Sequence, residues 1–143
     1  MTDALAIFAG TANPDLARKV ARELGVRLGA RQVGRFPDGE TSVRLDEPVR
    51  GREVFIVQPT SPPVNDHLVE LLAFADACRR ASAARTTAIV PYFGYARSDK
   101  RGGHTPVHVG RLAERSMLKV VRGADDDLSR SNRSGKTVGG ATH

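Results

Sequence analysis

The chain has 143 residues, of which 40% are apolar and 27% charged, and its formal net charge is +6. That length suffices for one domain with a real core, since a domain of this size buries roughly 70% of its unfolded surface. No apolar run reaches the 18 residues a membrane-spanning helix needs, so no membrane is expected as a partner. The start, MTDALAIFAG, lacks a basic region before its apolar stretch and so does not resemble a secretory signal, which leaves the cytoplasm as the expected location. A single cysteine, Cys78, excludes an internal disulfide and a cysteine-built zinc site, and it falls at an apolar helical position as a small core residue. The positive balance permits polyanion binding without demanding it. Neither a stacking-rich single-strand motif nor a helix-turn-helix signature is present, so nucleic acid is not the expected partner.

In chain order, Leu5 to Ala9 reads as a first strand closed by Gly10. Asn13 then offers a cap and Pro14 a first helical position, followed by Leu16, Ala17, Val20, Ala21 and Leu24 at helical spacing, with Gly25 as the stop. Strand followed by helix favours an α/β domain. Val33 to Phe36 and Thr41 to Leu45 flank Pro-Asp-Gly, in which proline sets φ and glycine accepts a positive one, and the unit reads as a hairpin. At its tip stand Phe36, Asp38 and Glu40; taken alone they are an ordinary acidic turn.

Val54 to Val57 is a continuous apolar run, suited to a strand buried on both faces of a parallel sheet. After the polar loop PTSPPVND, Asn65 or Asp66 can cap a long helix through Ala83, with a stripe of Leu68, Leu71, Leu72, Ala75 and Cys78. Asp66 and Glu70 near its start and Arg79 and Arg80 near its end match the helix dipole. His67 in the first turn reads as a surface or capping residue rather than a ligand. Thr86 to Val90 is a further buried strand, and a final amphipathic helix is expected from Val107, with Val109, Leu112, Ala113, Met117, Val120 and Val121 on one side and Gly123 as its stop. The domain is therefore expected over residues 1–122. Residues 123–143 are polar, have almost no apolar content and read as a mobile tail.

The stretch after Val90, PYFGYARSDKR, carries the most chemistry. Loops at strand carboxyl ends of open α/β sheets are where ligands bind. Arg97, Lys100 and Arg101 beside Tyr92, Phe93 and Tyr95 suit a ligand with a flat ring and several phosphates, because guanidinium both stacks and forms charge-assisted hydrogen bonds. Composition alone equally describes a solvated basic loop with packed aromatics. The SGKT of the tail is not a P-loop, since Arg130 stands where that motif requires glycine and no apolar strand precedes it. Asp126 and Asp127, followed at long spacing by Ser134 to Thr137, are only a distant echo of a ribose-phosphate-binding turn.

PYFGYARSDKR, the earlier FPDGE and the run NDHLVELLAFADACRRASAARTTAIVPYF together resemble the amino-terminal half of ribose-phosphate pyrophosphokinase, over roughly Leu5 to Val107. The resemblance implies a phosphoribosyltransferase-like α/β domain, with a mainly parallel sheet flanked by helices and a protruding hairpin. It also implies a reaction, transfer of the β,γ-diphosphoryl group of Mg-ATP to the C1 hydroxyl of ribose 5-phosphate, with Mg2+ as the cofactor. Phe36, Asp38, Gly39 and Glu40 take the family's tip, which reaches a neighbouring subunit's ATP site with the ring against adenine. Arg97, Ser98 and Asp99 take the facing loop, and Ser98 replaces a glutamine common in the family. Lys100 and Arg101 match the start of the catalytic loop, where cations stabilise the transferring group electrostatically. His104 and His108 do not match the family's metal-binding histidine. The ribose 5-phosphate pocket belongs to the other half of the family's chain, so this chain is expected to be inactive alone and to form a homo-oligomer or co-assemble with a full-length synthetase. The alternative is a non-catalytic regulatory or associated subunit.

Overall fold

The computed structural model describes residues 4–95 and 119–122. Its main sheet has four strands, β1 (Leu5–Ala9), β4 (Glu53–Val57), β5 (Arg85–Val90) and β6 (Lys119–Arg122), in the order β1-β4-β5-β6. All neighbours are parallel, with Leu5 opposite Glu53, Val54 opposite Thr86 and Ala88 opposite Val120. A separate antiparallel pair joins β2 (Arg31–Arg35) to β3 (Thr41–Leu45).

Alternation along a strand decides which face each residue serves. Ala6 and Phe8 of β1, Val54 and Ile56 of β4 and Ala88 and Val90 of β5 fall on one face, where they meet Leu71, Phe74 and Cys78 of α2 (Val64–Arg80). Ile7, Ala9 and Val57 turn to the opposite face and meet Ala17 of α1 (Pro14–Glu23). Covering on both faces is why β1, β4 and β5 read as continuous apolar runs. Val33, Val43 and Leu45 of the hairpin pack against the α2 side, so its strands are docked and its tip projects.

α1 starts as its sequence predicts. Asn13 Oδ1 accepts a hydrogen bond from the Leu16 amide at 3.1 Å, and Pro14 occupies the first turn. Asn13→Ala is expected to cost about 1 kcal/mol, read as a lower urea midpoint with an unchanged slope. Leu24 differs from expectation: it is the C-cap, beyond the last helical turn, and is exposed.

α2 also differs at both ends. Pro63 is its N-cap position, without a side-chain cap, and Asn65 and Asp66 lie inside the first turn, while the helix stops at Arg80 rather than at Ala83. Glu70, read from the sequence only as a charge matching the helix dipole, is buried, as is Phe74, which the expected stripe omitted. Cys78 is fully buried as predicted, and desolvation pushes its thiol up to about 11. The largest difference is at the end of the sheet. Val120 and Val121, assigned to the last amphipathic helix, belong instead to a strand paired with Ala88 and Ile89. A short apolar run satisfies helical and extended periodicity alike, and pairing with β5 decides between them. Residues 107–118 of the expected helix, and the tail from 123, lie outside the described residues.

Candidate functional site

The tip Phe36 to Glu40 is a closed, hydrogen-bonded turn. The Gly39 amide donates to the Phe36 carbonyl at 2.9 Å, and the Phe36 amide donates to the Glu40 carbonyl at 2.8 Å. Gly39 adopts φ +92, a conformation a side chain strongly disfavours. The Glu40 amide donates to Asp38 Oδ1 at 3.1 Å, so this carboxylate helps to build the turn. Phe36 is 52% exposed, a large apolar ring held out on a fixed turn.

The loop after β5 is equally well held where it begins. Buried Thr60, just beyond β4, donates from Oγ1 to the Tyr92 carbonyl at 3.2 Å and accepts from the Gly94 amide at 2.8 Å. Gly94 fits closely here, since a Cβ would lie 2.4 Å from Val64 Cγ1 and 2.7 Å from the Thr60 carbonyl oxygen. The aromatics of this loop separate in role. Phe93 is part of the core, Tyr95 leans on it with its hydroxyl bonded to Asn65, and Tyr92 is about half exposed. The expectation of three rings facing a ligand is therefore corrected, because the core takes Phe93. Arg97, Ser98, Asp99, Lys100 and Arg101 lie outside the described residues.

Between tip and loop lies the amino end of α2. Arg35, the last residue before the tip, pairs with Asp66 at 2.9 Å. His67, half-buried, donates from Nδ1 to the Ser61 carbonyl at 2.7 Å. A cleft of about 220 Å³ opens here, lined by Thr11, Arg35, Thr41, Asp66, His67 and Glu70 among others. Its floor is a polar network. Both Glu70 oxygens accept from Thr11, from the amide at 2.7 Å and the hydroxyl at 2.6 Å. Fully buried Gln58 accepts from the Ala12 amide at 3.1 Å and donates to the His67 carbonyl at 3.3 Å. Sequence reasoning missed Gln58 and Glu70. The signal was a polar residue terminating the apolar β4 run, and a carboxylate spaced with Phe74 on the helix. Among the described residues no group of three or more His, Cys, Asp or Glu side chains could hold a metal ion, and no helix is long and apolar enough to cross a membrane.

A four-stranded parallel sheet between helices, with polar loops gathered at its carboxyl edge and a hairpin tip beside them, defines an α/β domain of the phosphoribosyltransferase-like type. The family profile described as the N-terminal domain of ribose phosphate pyrophosphokinase matches residues 5–120. The chain is 57% identical over 126 residues to a ribose-phosphate pyrophosphokinase of Rhodopirellula baltica, covering 87% of this chain and 39% of that one. It is likewise 57% identical over 117 residues to one from Marinomonas, covering 82% of this chain and 37% of that one. The crystal structure of a phosphoribosylpyrophosphate synthetase from Mycobacterium smegmatis superposes with a TM-score of 0.75 at 33% identity, covering 92% of this chain and 52% of that one. The chain belongs to the ribose-phosphate pyrophosphokinase family and corresponds to its amino-terminal domain. It spans less than two fifths of the length of those two curated relatives.

Proposed function

We propose that this chain supplies the ATP-binding part of a ribose-phosphate pyrophosphokinase, the enzyme family that makes phosphoribosyl pyrophosphate for nucleotide biosynthesis. The observation that carries the reading is the tip, where an exposed Phe36 and the carboxylates of Asp38 and Glu40 stand on a turn fixed by Gly39. An exposed ring on a rigid turn suits stacking on adenine, and the two acids suit the donors of base or ribose. On this reading Arg97, Ser98 and Asp99 face the nucleotide, and Lys100 and Arg101 meet the diphosphoryl group that leaves ATP. Mg2+ is carried on the phosphates, the usual way magnesium enters such sites.

Phosphoryl transfer depends on holding both reactants in line. The residues assigned here address ATP, and ribose 5-phosphate is left to other parts of the family's site. Turnover is accordingly expected only where the rest of the family's site is supplied, as in a co-assembly with a full-length synthetase; a homo-oligomer of this domain is expected to assemble and bind ATP. The same contacts would serve a non-catalytic associated subunit of such an assembly. A cytoplasmic setting fits the substrates.

Isothermal titration of Mg-ATP into the purified chain, with light scattering on the same sample, tests the reading. Binding is expected in an assembled species, and Arg97→Ala is expected to weaken it about tenfold or more, the loss of one hydrogen bond to a charged group. A folded, assembled chain that fails to bind Mg-ATP sinks the ATP-site reading and leaves the interaction subunit in its place.

A further inference from the structure

The floor of the cleft holds a charge with no cation beside it. Glu70 is 5% exposed, and its two oxygens are both taken by one residue 59 positions away, by the Thr11 amide at 2.7 Å and the Thr11 hydroxyl at 2.6 Å. No ion pair among the described residues includes Glu70. A buried charge persists only where it is paired or hydrogen-bonded, so the loop after β1 does for this carboxylate what a counterion would otherwise do. Loops whose backbone N–H groups converge on one point are anion-binding concavities. This one is held on either side of Thr11 without help from Glu70. The Gly10 amide donates to the Val57 carbonyl at 3.0 Å, and the Ala12 amide donates to Gln58 Oε1 at 3.1 Å. Gly10 also lies so close to Gln58 that a Cβ there would stand 1.9 Å from Oε1. The cleft of about 220 Å³ reaches both Thr11 and Glu70, with Arg35 and His67 on its wall.

We infer that Thr11 and the loop after β1 form an oxyanion seat which the chain fills with its own Glu70, and that Glu70 in this way keeps carboxylate- and phosphate-bearing small molecules out of the cleft. The seat lies at the carboxyl end of β1, on the edge where ligands of open α/β sheets bind. Left empty, it would compete for phosphate groups with every other loop of that edge. Tethering gives the Glu70 carboxylate a high effective concentration, which a dilute free anion does not match. The inference does not depend on the proposed ATP site, because the seat, its occupant and the cleft all lie within the described residues.

The test is rescue of the vacated seat by a free anion, read as the melting temperature of the full chain in sodium formate and in sodium chloride of equal ionic strength. Formate is a carboxylate small enough for the space that Glu70→Ala leaves. That variant is expected to regain about half of its lost melting temperature when formate stands about tenfold above its dissociation constant, since this excess shifts the folding equilibrium roughly elevenfold. The wild type, and Phe74→Ala with its defect in the core, are expected to respond to formate only as they do to chloride. Adding Thr11→Val to Glu70→Ala removes the hydroxyl donor and is expected to cancel most of the rescue. Inorganic phosphate is expected to raise Glu70→Ala more than it raises the wild type. Should Glu70→Ala be unfolded in chloride, it is expected to fold in formate, so the same comparison decides. A Glu70→Ala chain that gains nothing from formate beyond chloride overturns the inference. So does an equal gain in Phe74→Ala, or a rescue that Thr11→Val leaves intact. Rescue by formate without any by phosphate overturns the exclusion of phosphate-bearing ligands.

Discussion

Replacing Phe74 by alanine is expected to lower the stability of the domain by about 3–5 kcal/mol, the range for removing a buried aromatic ring. Phe74 is fully buried, its ring centroid lies 6.4 Å from that of Phe8, and the two rings are tilted by 40°. Phe8 and Phe74 thus join the first strand to the face of α2. The sheet and the helix around the lost ring are held by parallel pairing on both sides of β4, so the space cannot close by a small movement. Urea denaturation followed by circular dichroism should show a much lower midpoint with an unchanged slope. A loss of only about 0.5 kcal/mol, typical of surface substitutions, would refute the role of this ring as the centre of the core.

The second large effect is expected at Glu70. Removing this carboxylate in Glu70→Ala takes away both acceptors of Thr11 and leaves a partly buried amide without a partner, at a cost of about 2–3 kcal/mol for charge-assisted bonds. Glu70→Gln should cost less. Its carbonyl oxygen can still accept from the Thr11 amide, and the Thr11 hydroxyl can rotate to accept from the new amide group. The order wild type, Gln, Ala in denaturation midpoints is the outcome to check. Equal midpoints for Gln and Ala would mean that the charge, and not the hydrogen bonds, is what the loop after β1 depends on.

Much of this architecture was legible because local rules and tertiary packing agree. Asn13-Pro14 marked the start of α1, Pro37-Asp38-Gly39 marked the hairpin turn, and the apolar runs of β1, β4 and β5 marked strands covered on both faces. What escaped was decided by long-range partners. Val120 and Val121 fit a helical stripe until β5 offers them an edge to pair with. Asn65 and Asp66 look like caps until Tyr95 and Arg35 claim their side chains. Glu70 looks like a charge suited to the helix dipole until Thr11, far away in sequence, satisfies both its oxygens. At the candidate site, the tip was readable because a turn is a local device. The division of labour among Tyr92, Phe93 and Tyr95 was not, because one short aromatic stretch gives no sign of which ring the core will take.

The strand order has a consequence for how the chain is made. β1 leaves the ribosome before the rest of its sheet, yet its partner begins only at Glu53, and the strand beyond that begins at Arg85. The hairpin can close as soon as its own few residues are out, whereas β1 must wait unpaired, with Phe8 uncovered, until β4 and α2 arrive. Its first helper in that interval is the nearby segment at Leu28 and Gly29, which bridges to Ile7 along what becomes the outer edge. Slow translation that delays the emergence of β4 would therefore prolong the time an apolar strand waits unpaired beside other nascent chains.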